Sequence, residues 1–581
     1  MAMLPVNFVV GVLCALMCAA CAWAGEVIPV TQTGAKPGDG ADDTAGVRAA
    51  IRLCRSKPGS VLRFPKGRYD FHPPEGPPAR PVAMHFAGCK DLTVEGEGSE
   101  LVFHGTMGAM AFNECRGVVV RNVVIDSQRP PFSIGEVIAA AGKSFDVEVW
   151  KEFPVRGGEA VEAFMEYDPE TKFPMPGGLD VYHAVDSTEL LRPQVLRVQL
   201  KRAVRAKVGA VMVLRHVVYG PGALAFRSSA DVRVENVTIY ATPGMGVTGS
   251  QSTDLHLKAV RVMNRPGTRR IMSATADATH FNACCGSIRI EDCLFEGMGD
   301  DAVNVHGMYL RVTQRLDDKT ILAVVRNNWL FPPQPGHNLE LIDPASLLPY
   351  DTGCVEAVSV DRRAGTHRIT FARPLPQRLQ AGHYLGNTAW APKLRITGCQ
   401  VRANRARGFL IQTRDALVEN NTIRHNQSAG INVTTDLHPW TESIGTRDVV
   451  IRNNTFEGCN NGAGWHPAVI NVFADLEQGK GRGAAGVHRN VLIEGNTIRG
   501  TNNAAIFICS ADGVVVRNNR IEGSSGKPDR TGGHSAVYLR NSRNAEITGN
   551  TLAAGPGQTR AVLIGLGCEK GTIKVHANKG F

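Results

Sequence analysis

The sequence predicts an all-β protein: a right-handed parallel β-helix that carries two small inserted antiparallel β-barrel domains. The first observation is a repeat, seen in residues 118–125, 449–456 and 514–521, of an alternating apolar strand, a polar corner and a second short strand. The second is spacing, since Asn496 and Asn519 are 23 residues apart, about one coil of such a helix. The third is composition, because 62 glycines and 6% aromatic residues suit short strands joined by tight turns. Right-handedness follows from the rule for connections between parallel strands.

Two interruptions of the repeat define the predicted domains. Both contain strand-like alternation without helical periodicity, so we expect each to form an inserted barrel. The predicted segments are a signal peptide at 1–24, a cap with the first coils at 25–126, an inserted domain at 127–219, coils carrying the candidate site at 220–308, a second inserted domain at 309–391 and C-terminal coils at 392–581. The second insertion leaves the β-helix next to the candidate site and is placed to wall it.

The N-terminus has the features of a secretory leader. Residues 1–25 contain no Lys, Arg, Asp or Glu, and an apolar run ends in Ala22-Trp23-Ala24. This predicts a signal peptide and a secreted or periplasmic protein. A lipid anchor at Cys21 is the weaker alternative, because Cys18 stands where a lipobox has Leu. No other stretch reaches the roughly 18 apolar residues that a membrane span requires.

Charge and cysteine usage exclude several classes of function. The formal charge of +10 is spread without basic runs or a nucleic-acid motif, so we expect no nucleic-acid partner. A solvated surface is the simplest interpretation, and attraction to acidic glycans is the alternative. Eleven of the 14 cysteines follow the leader, about one per coil, which is neither a disulfide framework nor a metal site. We expect no metal and no cofactor; one or two disulfides and the oligomeric state, a homodimer included, stay open.

A cap is predicted before the first coils. Residues 45–55 form an amphipathic pattern with Val47, Ile51 and Leu53 on one face. A stack of strands needs such a cap, because its open end would expose the core and unpaired strand edges. We interpret Asp42 and Asp43 as helix caps rather than as catalytic residues.

The stretch 277–307 brings three carboxylates to neighbouring coils. Asp277 and Asp301 are 24 residues apart, so stacking places one above the other at a strand spacing of about 4.8 Å. Strict alternation would turn Asp301 into the core, where an unpaired charge is costly. We therefore predict a turn at Gly299 that lets Asp300 and Asp301 both reach the surface.

Polar side chains accompany these carboxylates. The even positions of the two aligned strands, which alternation points outward, are His280, Asn282, Asn304 and His306. Further candidates for substrate contact are Arg270, Gln412, Arg414, Asn432, Thr434, Asp436, Trp440, Glu442 and Asn471. An exposed Trp beside carboxylates and arginines suits a sugar, because its ring stacks on a pyranose face while polar groups bind hydroxyls.

Three converging carboxylates suit glycoside hydrolysis. One carboxylic acid protonates the leaving oxygen, while a carboxylate activates water or attacks directly. Crowding raises the pKa of one group and so keeps an acid protonated near neutral pH. The alternatives are a solvated turn, a polygalacturonase-like pectinase and a non-catalytic glycan-binding β-helix. The aspartate pair lacks the Gly-His-Gly and Arg-Ile-Lys motifs of the pectinases, and a binding module does not need three carboxylates.

The same motifs resemble glycoside hydrolase family 110. The resemblance rests on residues 277–281 and 300–307, the cap, the two interruptions and the loop at 440–443. Members of that family are inverting α-1,3-galactosidases, some of which act on the blood group B antigen. The resemblance implies Asp300 as the general acid, with Asp277 and Asp301 as the pair that positions and deprotonates water. It also implies a glycan as the substrate, linear or branched.

Overall fold

The structure is a computed structural model that describes residues 25–76, 81–461, 466–477, 481–501, 503–523, 535–555 and 560–580. The predicted signal peptide, with Cys21, lies outside the described residues. Within them the chain is a right-handed parallel β-helix with a single α-helix. No helix in this described part is both long and apolar enough to cross a membrane.

The N-terminal cap and the first coils contain α1 and strands β1 to β7. Their bounds are Val27–Pro29 (β1), Thr44–Arg55 (α1), Val61–Arg63 (β2), Arg68–Phe71 (β3), Val82–Ala87 (β4), Thr93–Phe103 (β5), Gly108–Asn113 (β6) and Arg116–Ser127 (β7), with a 3-10 turn at Val30–Thr33. The helix buries Val47 and Ile51 as predicted, but Leu53 is exposed and Cys54 takes the inner place.

The helix cap differs in detail from the prediction. Asp42 Oδ1 accepts a hydrogen bond from the backbone N of Thr44 at 3.0 Å, so Asp42 supports the first turn. Asp43 stands at the N-cap but makes no side-chain cap. Its carboxylate accepts hydrogen bonds instead from the backbone N atoms of Lys36 and Asp70, which ties the cap to the first coil.

The first insertion contains seven strands. They are Phe132–Ala141 (β8), Ser144–Val149 (β9), Ala163–Tyr167 (β10), Asp180–Tyr182 (β11), Val185–Arg192 (β12), Val195–Leu200 (β13) and Val211–Arg215 (β14). They form an antiparallel sheet in the order β11-β10-β14-β8-β9-β13-β12. This order has two edge strands, so closure as a barrel stays a prediction. The sheet has its own apolar core, which also includes Ile271 and Met272 from the β-helix.

The next coils carry the candidate site. Their strands are Leu224–Arg227 (β15), Ala230–Glu235 (β16), Thr238–Ile239 (β17), Val247–Ser250 (β18), Thr253–Lys258 (β19), Arg261–Val262 (β20), Thr279–Asn282 (β21), Cys285–Glu291 (β22), Leu294–Glu296 (β23) and Val303–Arg315 (β24).

The second insertion continues directly from β24. Its strands are Thr320–Val324 (β25), Asn338–Ile342 (β26), Pro349–Asp361 (β27), Thr366–Phe371 (β28) and Tyr384–Asn387 (β29), with 3-10 turns at Arg326–Asn328 and Thr388–Trp390. Antiparallel pairs close the ring β24-β25-β28-β27-β26-β29-β24. Because β24 begins in the β-helix and ends in this ring, the insertion stands immediately beside the site. The limits 127–219 and 309–391 remain predictions.

The C-terminal coils contain strands β30 to β49. These are Lys393–Thr397 (β30), Gln400–Arg402 (β31), Phe409–Gln412 (β32), Arg414–Glu419 (β33), Thr422–Arg424 (β34), Ile431–Asp436 (β35), Glu442–Ser443 (β36), Arg447–Arg452 (β37), Thr455–Glu457 (β38), Ala468–Asp475 (β39), His488–Glu494 (β40), Thr497–Arg499 (β41), Ala504–Cys509 (β42), Ala511–Arg517 (β43), Arg520–Glu522 (β44), Ser535–Arg540 (β45), Arg543–Thr548 (β46), Thr551–Ala553 (β47), Arg560–Ile564 (β48) and Ile573–His576 (β49), with a 3-10 turn at Lys570–Thr572.

Equivalent strands of successive coils pair in parallel and form three stacks. The first stack is β15, β18, β21, β24, β32, β35, β39, β42, β45 and β48. The second is β16, β19, β22, β30, β33, β37, β40, β43, β46 and β49. The third is β17, β20, β23, β31, β34, β38, β41, β44 and β47. Their inward side chains form one continuous apolar core.

Asparagines at the corners of the C-terminal coils hold the stack together. The Nδ2 atom of Asn454 donates to Oδ1 of Asn496 at 3.0 Å, and Asn496 donates in the same way to Asn519 at 3.0 Å. The neighbouring Asn453 has a φ of 54°, so the left-handed residue of the corner stands one position before the asparagine of the ladder. The cysteines of the described residues are free, and Cys115, Cys293, Cys399 and Cys459 are buried at turns of the stack.

Candidate active site

The three predicted carboxylates meet at the bends before β21 and β24. These strands pair as Thr279–Asn282 with Val303–His306, which is the register expected from the spacing of 24 residues. One oxygen from each of Asp277, Asp300 and Asp301 lies within 4.8 Å of the other two. Their exposed fractions are 3%, 9% and 1%. The predicted stacking is confirmed, but the group lies in a pocket rather than on an open surface.

Asp301 is fixed by an arginine of the next coil. Arg407 donates from Nε at 2.7 Å to one oxygen and from Nη2 at 2.6 Å to the other, and its backbone N donates at 2.9 Å. Asp301 in turn donates its backbone N–H to Oδ1 of Asp277 at 3.0 Å. A bidentate guanidinium fixes the carboxylate plane and compensates much of the cost of burying its charge.

Asp300 is held from the side of the first inserted sheet. The hydroxyl of Tyr219 donates to Oδ2 at 3.0 Å, and Nη1 of Arg405 donates to Oδ1 at 3.3 Å. The Nε of Arg405 also donates to Asp180 of β11 at 2.8 Å. Arg405 therefore links the inserted sheet to Asp300. The position of β11 in that sheet helps to fix the position of the carboxylate.

A buried arginine holds the backbone before Asp300. Arg215, the last residue of β14, is 0% exposed. Its Nη1 donates to the carbonyl oxygens of Thr275 at 3.1 Å and of Gly299 at 3.0 Å, one in each of the two bends that carry the carboxylates. A Cβ at Gly299 would lie 2.9 Å from this Nη1 and 2.2 Å from the Thr275 oxygen, so only glycine fits there.

A chain of imidazoles leads from Asp277 to Glu442. His280 Nδ1 lies 2.6 Å from Asp277, and its Nε2 lies 3.0 Å from Nε2 of His306. His306 Nδ1 faces its neighbour's carbonyl at 2.7 Å and must donate there, so its Nε2 accepts from His280. His280 therefore carries a proton on Nε2, and it becomes the cation when Nδ1 is also protonated. Glu442 lies 3.6 Å from His306.

Burial and mutual repulsion shift the pKa values of this group. Burial raises the pKa of Asp301 to about 7 against the opposing effect of Arg407, and nearby Asp300 adds to the rise. Burial also raises the pKa of Asp277. Burial lowers the pKa of His306, whereas for His280 the hydrogen bond and charge of Asp277 outweigh burial and raise the pKa. The trio of carboxylates therefore retains a proton near neutral pH.

The carboxylates line a pocket of about 840 Å³. The β-helix contributes its floor, and both insertions and the loop between β35 and β36 contribute walls. The lining includes the predicted residues His280, Asn282, Asn304, His306, Asn432, Thr434, Asp436, Trp440 and Glu442. The structure thus brings these together with the carboxylates. Asn304 and His306 are buried and do not face open solvent as alternation alone implied, because the insertions cover this face.

An aromatic residue and an arginine stand at the rim of the pocket. Trp440 is 46% exposed, and the guanidinium of Arg326 lies 4.1 Å from the centre of its ring. Asp436 accepts hydrogen bonds from the backbone N atoms of Trp440 and Thr441 at 3.0 Å each. Burial and the charge of Glu442 raise the pKa of Asp436 to about 8. Hydrogen bonds to Asp436 therefore fix the backbone of Trp440, and the exposed part of its ring is positioned to stack on a sugar.

The structure places four predicted substrate contacts outside the residues that line the pocket. Arg270 donates to Asp126 at 2.6 Å, because its loop returns toward β7 and away from the carboxylates. Gln412 is 0% exposed and donates to Glu442, so it supports the site from beneath. Arg414 donates to Glu340 at 2.8 Å and stands outside the residues that line the pocket. Asn471, another candidate, is buried against Asn432.

Sequence reasoning missed Arg407, Arg405, Tyr219 and Arg215. A signal existed for Arg407: it stands two residues before Phe409, as Asp301 stands two residues before Val303, and these strands pair. The second insertion hides this alignment in the chain. Tyr219 and Arg215 belong to or follow the first insertion, where the repeat gives no register.

The carboxylate trio is close enough to bind a cation, and its surroundings argue against one. Divalent cations prefer several oxygen ligands without competing positive charge. Here Arg407 occupies both oxygens of Asp301, Arg405 approaches Asp300, and His280 is hydrogen-bonded to Asp277. The donor set is therefore better suited to acid–base chemistry than to a metal.

Comparisons with known proteins support the same assignment of fold and class. The family described as "Right handed beta helix region" matches residues 384–579. The chain is 28% identical to "Alpha-1,3-galactosidase A" of Shewanella woodyi, over 90% of each chain, and 29% identical to "Alpha-1,3-galactosidase B" of Phocaeicola vulgatus, over 85% of this chain and 89% of that one. These similarities confirm the predicted resemblance. Among solved structures, "Crystal structure of Agl-KA catalytic domain" overlaps 95% of this chain and 68% of its own with a TM-score of 0.45 and 12% identity, too little to indicate function.

Proposed function

We propose that this β-helical protein, related over nine-tenths of its length to α-1,3-galactosidases, is an exo-acting glycoside hydrolase that removes terminal α-1,3-linked galactose. The observation that carries the proposal is the convergence of Asp277, Asp300 and Asp301 within 4.8 Å in a walled pocket. A pocket of about 840 Å³ with polar groups and an aromatic rim suits the end of a glycan chain.

We assign Asp300 as the general acid. Its side chain is the most accessible of the three, at 13% against 5% for Asp277 and 1% for Asp301. It is therefore the carboxyl group that can reach a leaving oxygen in the pocket. The raised pKa values of Asp277 and Asp301 keep a proton in the trio near neutral pH, and Asp300 acts as the acid when that proton is transferred to its side chain. Tyr219 and Arg405 fix the position of Asp300.

Asp277 and Asp301 form the basic side of the mechanism. They are neighbours on adjacent coils, and a water held between them would contact both carboxylates. Arg407 keeps Asp301 oriented, and His280 accepts or returns the proton at Asp277 through its hydrogen bond of 2.6 Å. As the acid protonates the leaving oxygen, this water attacks the anomeric carbon, the C–O bond breaks, and the water proton passes to the pair.

The stereochemical outcome is part of the proposal. We infer inversion, because the attachments of Asp277 and Asp301 to His280 and Arg407 restrain both from approaching the anomeric carbon. Inverting enzymes separate their carboxyl groups by about 6.5–9.5 Å and retaining enzymes by about 5–5.5 Å. The nearest oxygens of the three aspartates lie within 4.8 Å of one another, which favours retention as the alternative. NMR detection of the anomer that is released first distinguishes the two outcomes.

A polygalacturonase-like activity is the second candidate. Its specific support is Arg326, a pocket-lining residue of the second insertion whose buried Nη1 has no hydrogen-bond partner among the described residues. That group could bind the carboxylate of a galacturonate. Purified protein should be assayed against p-nitrophenyl α-galactoside, galactose-α-1,3-galactose, blood group B trisaccharide and polygalacturonate. Galactose release supports the first candidate, and galacturonate release alone supports the second.

Export also belongs to this proposal. The apolar leader at 1–24 supports a secreted or periplasmic location, where glycan substrates are available. Whether the protein forms a homodimer stays a prediction that gel filtration with light scattering can test.

A further inference from the structure

A second cleft opens next to the active-site pocket. It has a volume of about 710 Å³ and lies between the ends of β15, β18 and β21 on one side and the second insertion on the other. Asn282 and Trp329 line both the cleft and the pocket. The two spaces are therefore neighbours, and a glycan held at the carboxylates would reach the cleft by passing Asn282 and Trp329.

Polar residues follow one another along the floor of this cleft. In the first stack, Arg227 pairs with Ser250, Ser250 with Asn282, and Asn282 with His306 of the catalytic coil. At the spacing of stacked strands, Arg227 lies about 10 Å from Asn282 and about 14 Å from His306. A sugar chain running this way meets one polar side chain at each coil.

The wall and the floor offer the two kinds of contact that sugars use. Trp329 is 44% exposed, and the ring of Phe331 lies beside it with centroids 6.4 Å apart. Such faces stack on pyranose rings. The Oδ1 atom of Asn282, a residue that lines the cleft, is buried and accepts no hydrogen bond within the described part of the chain, so it is an unsatisfied acceptor beside the path of a glycan.

The charge of the cleft is one-sided. Arg227 and Arg362 line it, and no Asp or Glu among the described residues does. Asp361, next in sequence to Arg362, accepts hydrogen bonds from the backbone N atoms of Arg363 and Ala364 and is thus engaged in its own turn. The chain as a whole carries +10, so the surrounding field adds to the attraction for anions.

We propose that this cleft binds the part of the glycan on the reducing side of the cleaved bond and selects chains that carry an anionic group there, either a sulfate ester or a uronic carboxylate. The proposal rests on the proposed galactosidase activity and defines its substrate class. The planar guanidinium of arginine matches both oxyanions by paired hydrogen bonds. Arg227 lies two coils beyond Asn282. The anionic group is therefore expected on a sugar further from the cleaved bond than the one directly linked to galactose.

The test compares three oligosaccharides of equal length that all end in α-1,3-galactose. One is neutral, one carries a sulfate on an inner sugar, and one has an inner glucuronate. At low salt the wild-type protein should cleave at least one anionic substrate with a kcat/KM roughly tenfold or more above the neutral one, from the typical strength of a charge-assisted hydrogen bond. The gain should appear in KM and decrease with ionic strength.

A double variant isolates the two arginines. Arg227→Ala with Arg362→Ala should bring the ratio of anionic to neutral kcat/KM to about one. The matched control is Arg233→Ala with Arg289→Ala, which removes the same charge from exposed positions of the second stack and should keep the wild-type ratio. Equal rates on all three substrates in the wild type, or an unchanged ratio in the cleft variant, would overturn the proposal.

Failure of the galactosidase assignment gives a different result. If no α-galactoside is cleaved, the proposed function is rejected, and calorimetry still tests the cleft. The probes are then sulfated and uronate-containing oligosaccharides that lack the terminal galactose. Binding by the wild type that is lost in the double cleft variant supports the anionic site, whereas absence of binding by the wild type overturns it.

Discussion

The coils that carry Asp277, Asp300 and Asp301, called the catalytic coils after their proposed role, differ from the C-terminal coils in how they satisfy buried polar groups. Both sets of coils bury polar side chains at a corner of the stack. In the C-terminal coils the residue is an asparagine, and each amide donates to the next, as from Asn454 to Asn496 at 3.0 Å. In the catalytic coils the corner residues are carboxylates, and two of them, Asp277 and Asp301, occupy equivalent positions on neighbouring coils.

The difference follows from hydrogen-bonding capacity. An amide is both donor and acceptor, so a column of asparagines satisfies itself along the stack. Ionised carboxylates only accept, and adjacent ones repel. The catalytic coils therefore require cations and donors: Arg407, at the equivalent position of the next coil, for Asp301, and Arg405 and Tyr219 for Asp300. The asparagine ladder satisfies its own hydrogen bonds. The catalytic coils instead hold a group of acids that can exchange a proton and that depend on other residues for their stability.

The largest effect on activity is expected when a carboxylate of the catalytic coils is replaced by the asparagine that the ladder uses. Asp300→Asn should lower kcat on galactose-α-1,3-galactose by about 10³-fold, because general acid catalysis contributes roughly 10²–10⁴-fold. The melting temperature should stay near that of the wild type. Asp254→Asn, at an exposed carboxylate bonded to Ser287, is the control and should retain activity. Near-wild-type turnover of the Asp300 variant would remove this residue as the acid.

Removing the cation from the carboxylate column should cost both stability and activity. Arg407→Ala leaves Asp301 buried without its partner, and loss of one partner of a buried ion pair typically costs about 3–5 kcal/mol. Denaturant unfolding measures the change, and kcat should fall by roughly 10²-fold or more as Asp301 loses its orientation. Arg407→Lys keeps the charge without the fork and should recover part of the stability. A variant as stable and active as the wild type would show that Asp301 needs no cationic partner.

The pH profile tests whether the column shares a proton. Because the pKa of Asp301 is raised to about 7 and that of Asp277 is raised as well, the trio loses its proton as the pH rises through that range. We expect kcat/KM to fall about tenfold per unit above pH 7, the slope for loss of one required proton. A rate that stays constant to pH 9 would contradict a shared proton.

A smaller effect is expected from the support of the catalytic bend. Arg215→Met removes the hydrogen bonds to the carbonyls of Thr275 and Gly299 and should lower kcat roughly tenfold with little change in KM, because the acid is displaced while the pocket lining stays. Arg129→Met is the matched control: Arg129 also donates to backbone carbonyls, but to those of Pro130 and Phe132 within the insertion. Equal kcat values for the two variants would mean that Arg215 only stabilises the fold.

The ladder itself should respond in stability alone. Asn496→Ala breaks two rungs and should cost about 1–3 kcal/mol of unfolding free energy with kcat unchanged. Asn496→Asp should be worse above about pH 4, because burial raises the pKa of the new carboxyl and the unfolded chain then releases a proton that the folded chain keeps. Urea unfolding at pH 4 and pH 7 measures both. Loss of kcat in the alanine variant would mean that the two regions are coupled.

The sequence allowed prediction of features that depend on neighbouring coils. The register of His280 over Asn304 was predictable because only 24 residues separate Asp277 from Asp301 and no insertion intervenes. The position of the second insertion beside the site followed for the same reason, since it continues from β24. The asparagine ladder was partly predictable from the corner residues, although the left-handed position falls one residue earlier.

Contacts that cross an insertion were not predictable in this way. Arg407 pairs with Asp301 across 106 residues of chain, and Arg215 reaches the bend from the end of an inserted sheet. Arg270 was predicted at the site from its closeness in sequence to Asp277, but the loop between β20 and β21 carries it to Asp126. The alternation of apolar and polar residues predicts only that a side chain points away from the core. Whether that side chain then faces water or a pocket depends on where the insertions lie.

The most direct measurement is a crystal structure of the Asp300→Asn variant with galactose-α-1,3-galactose bound. The account predicts the glycosidic oxygen at about 3 Å from the side chain at position 300, with one water between Asp277 and Asp301 on the opposite face of the galactose ring. The second sugar should point past Asn282 toward Trp329. A disaccharide bound with its glycosidic bond remote from all three aspartate positions would contradict the central claim.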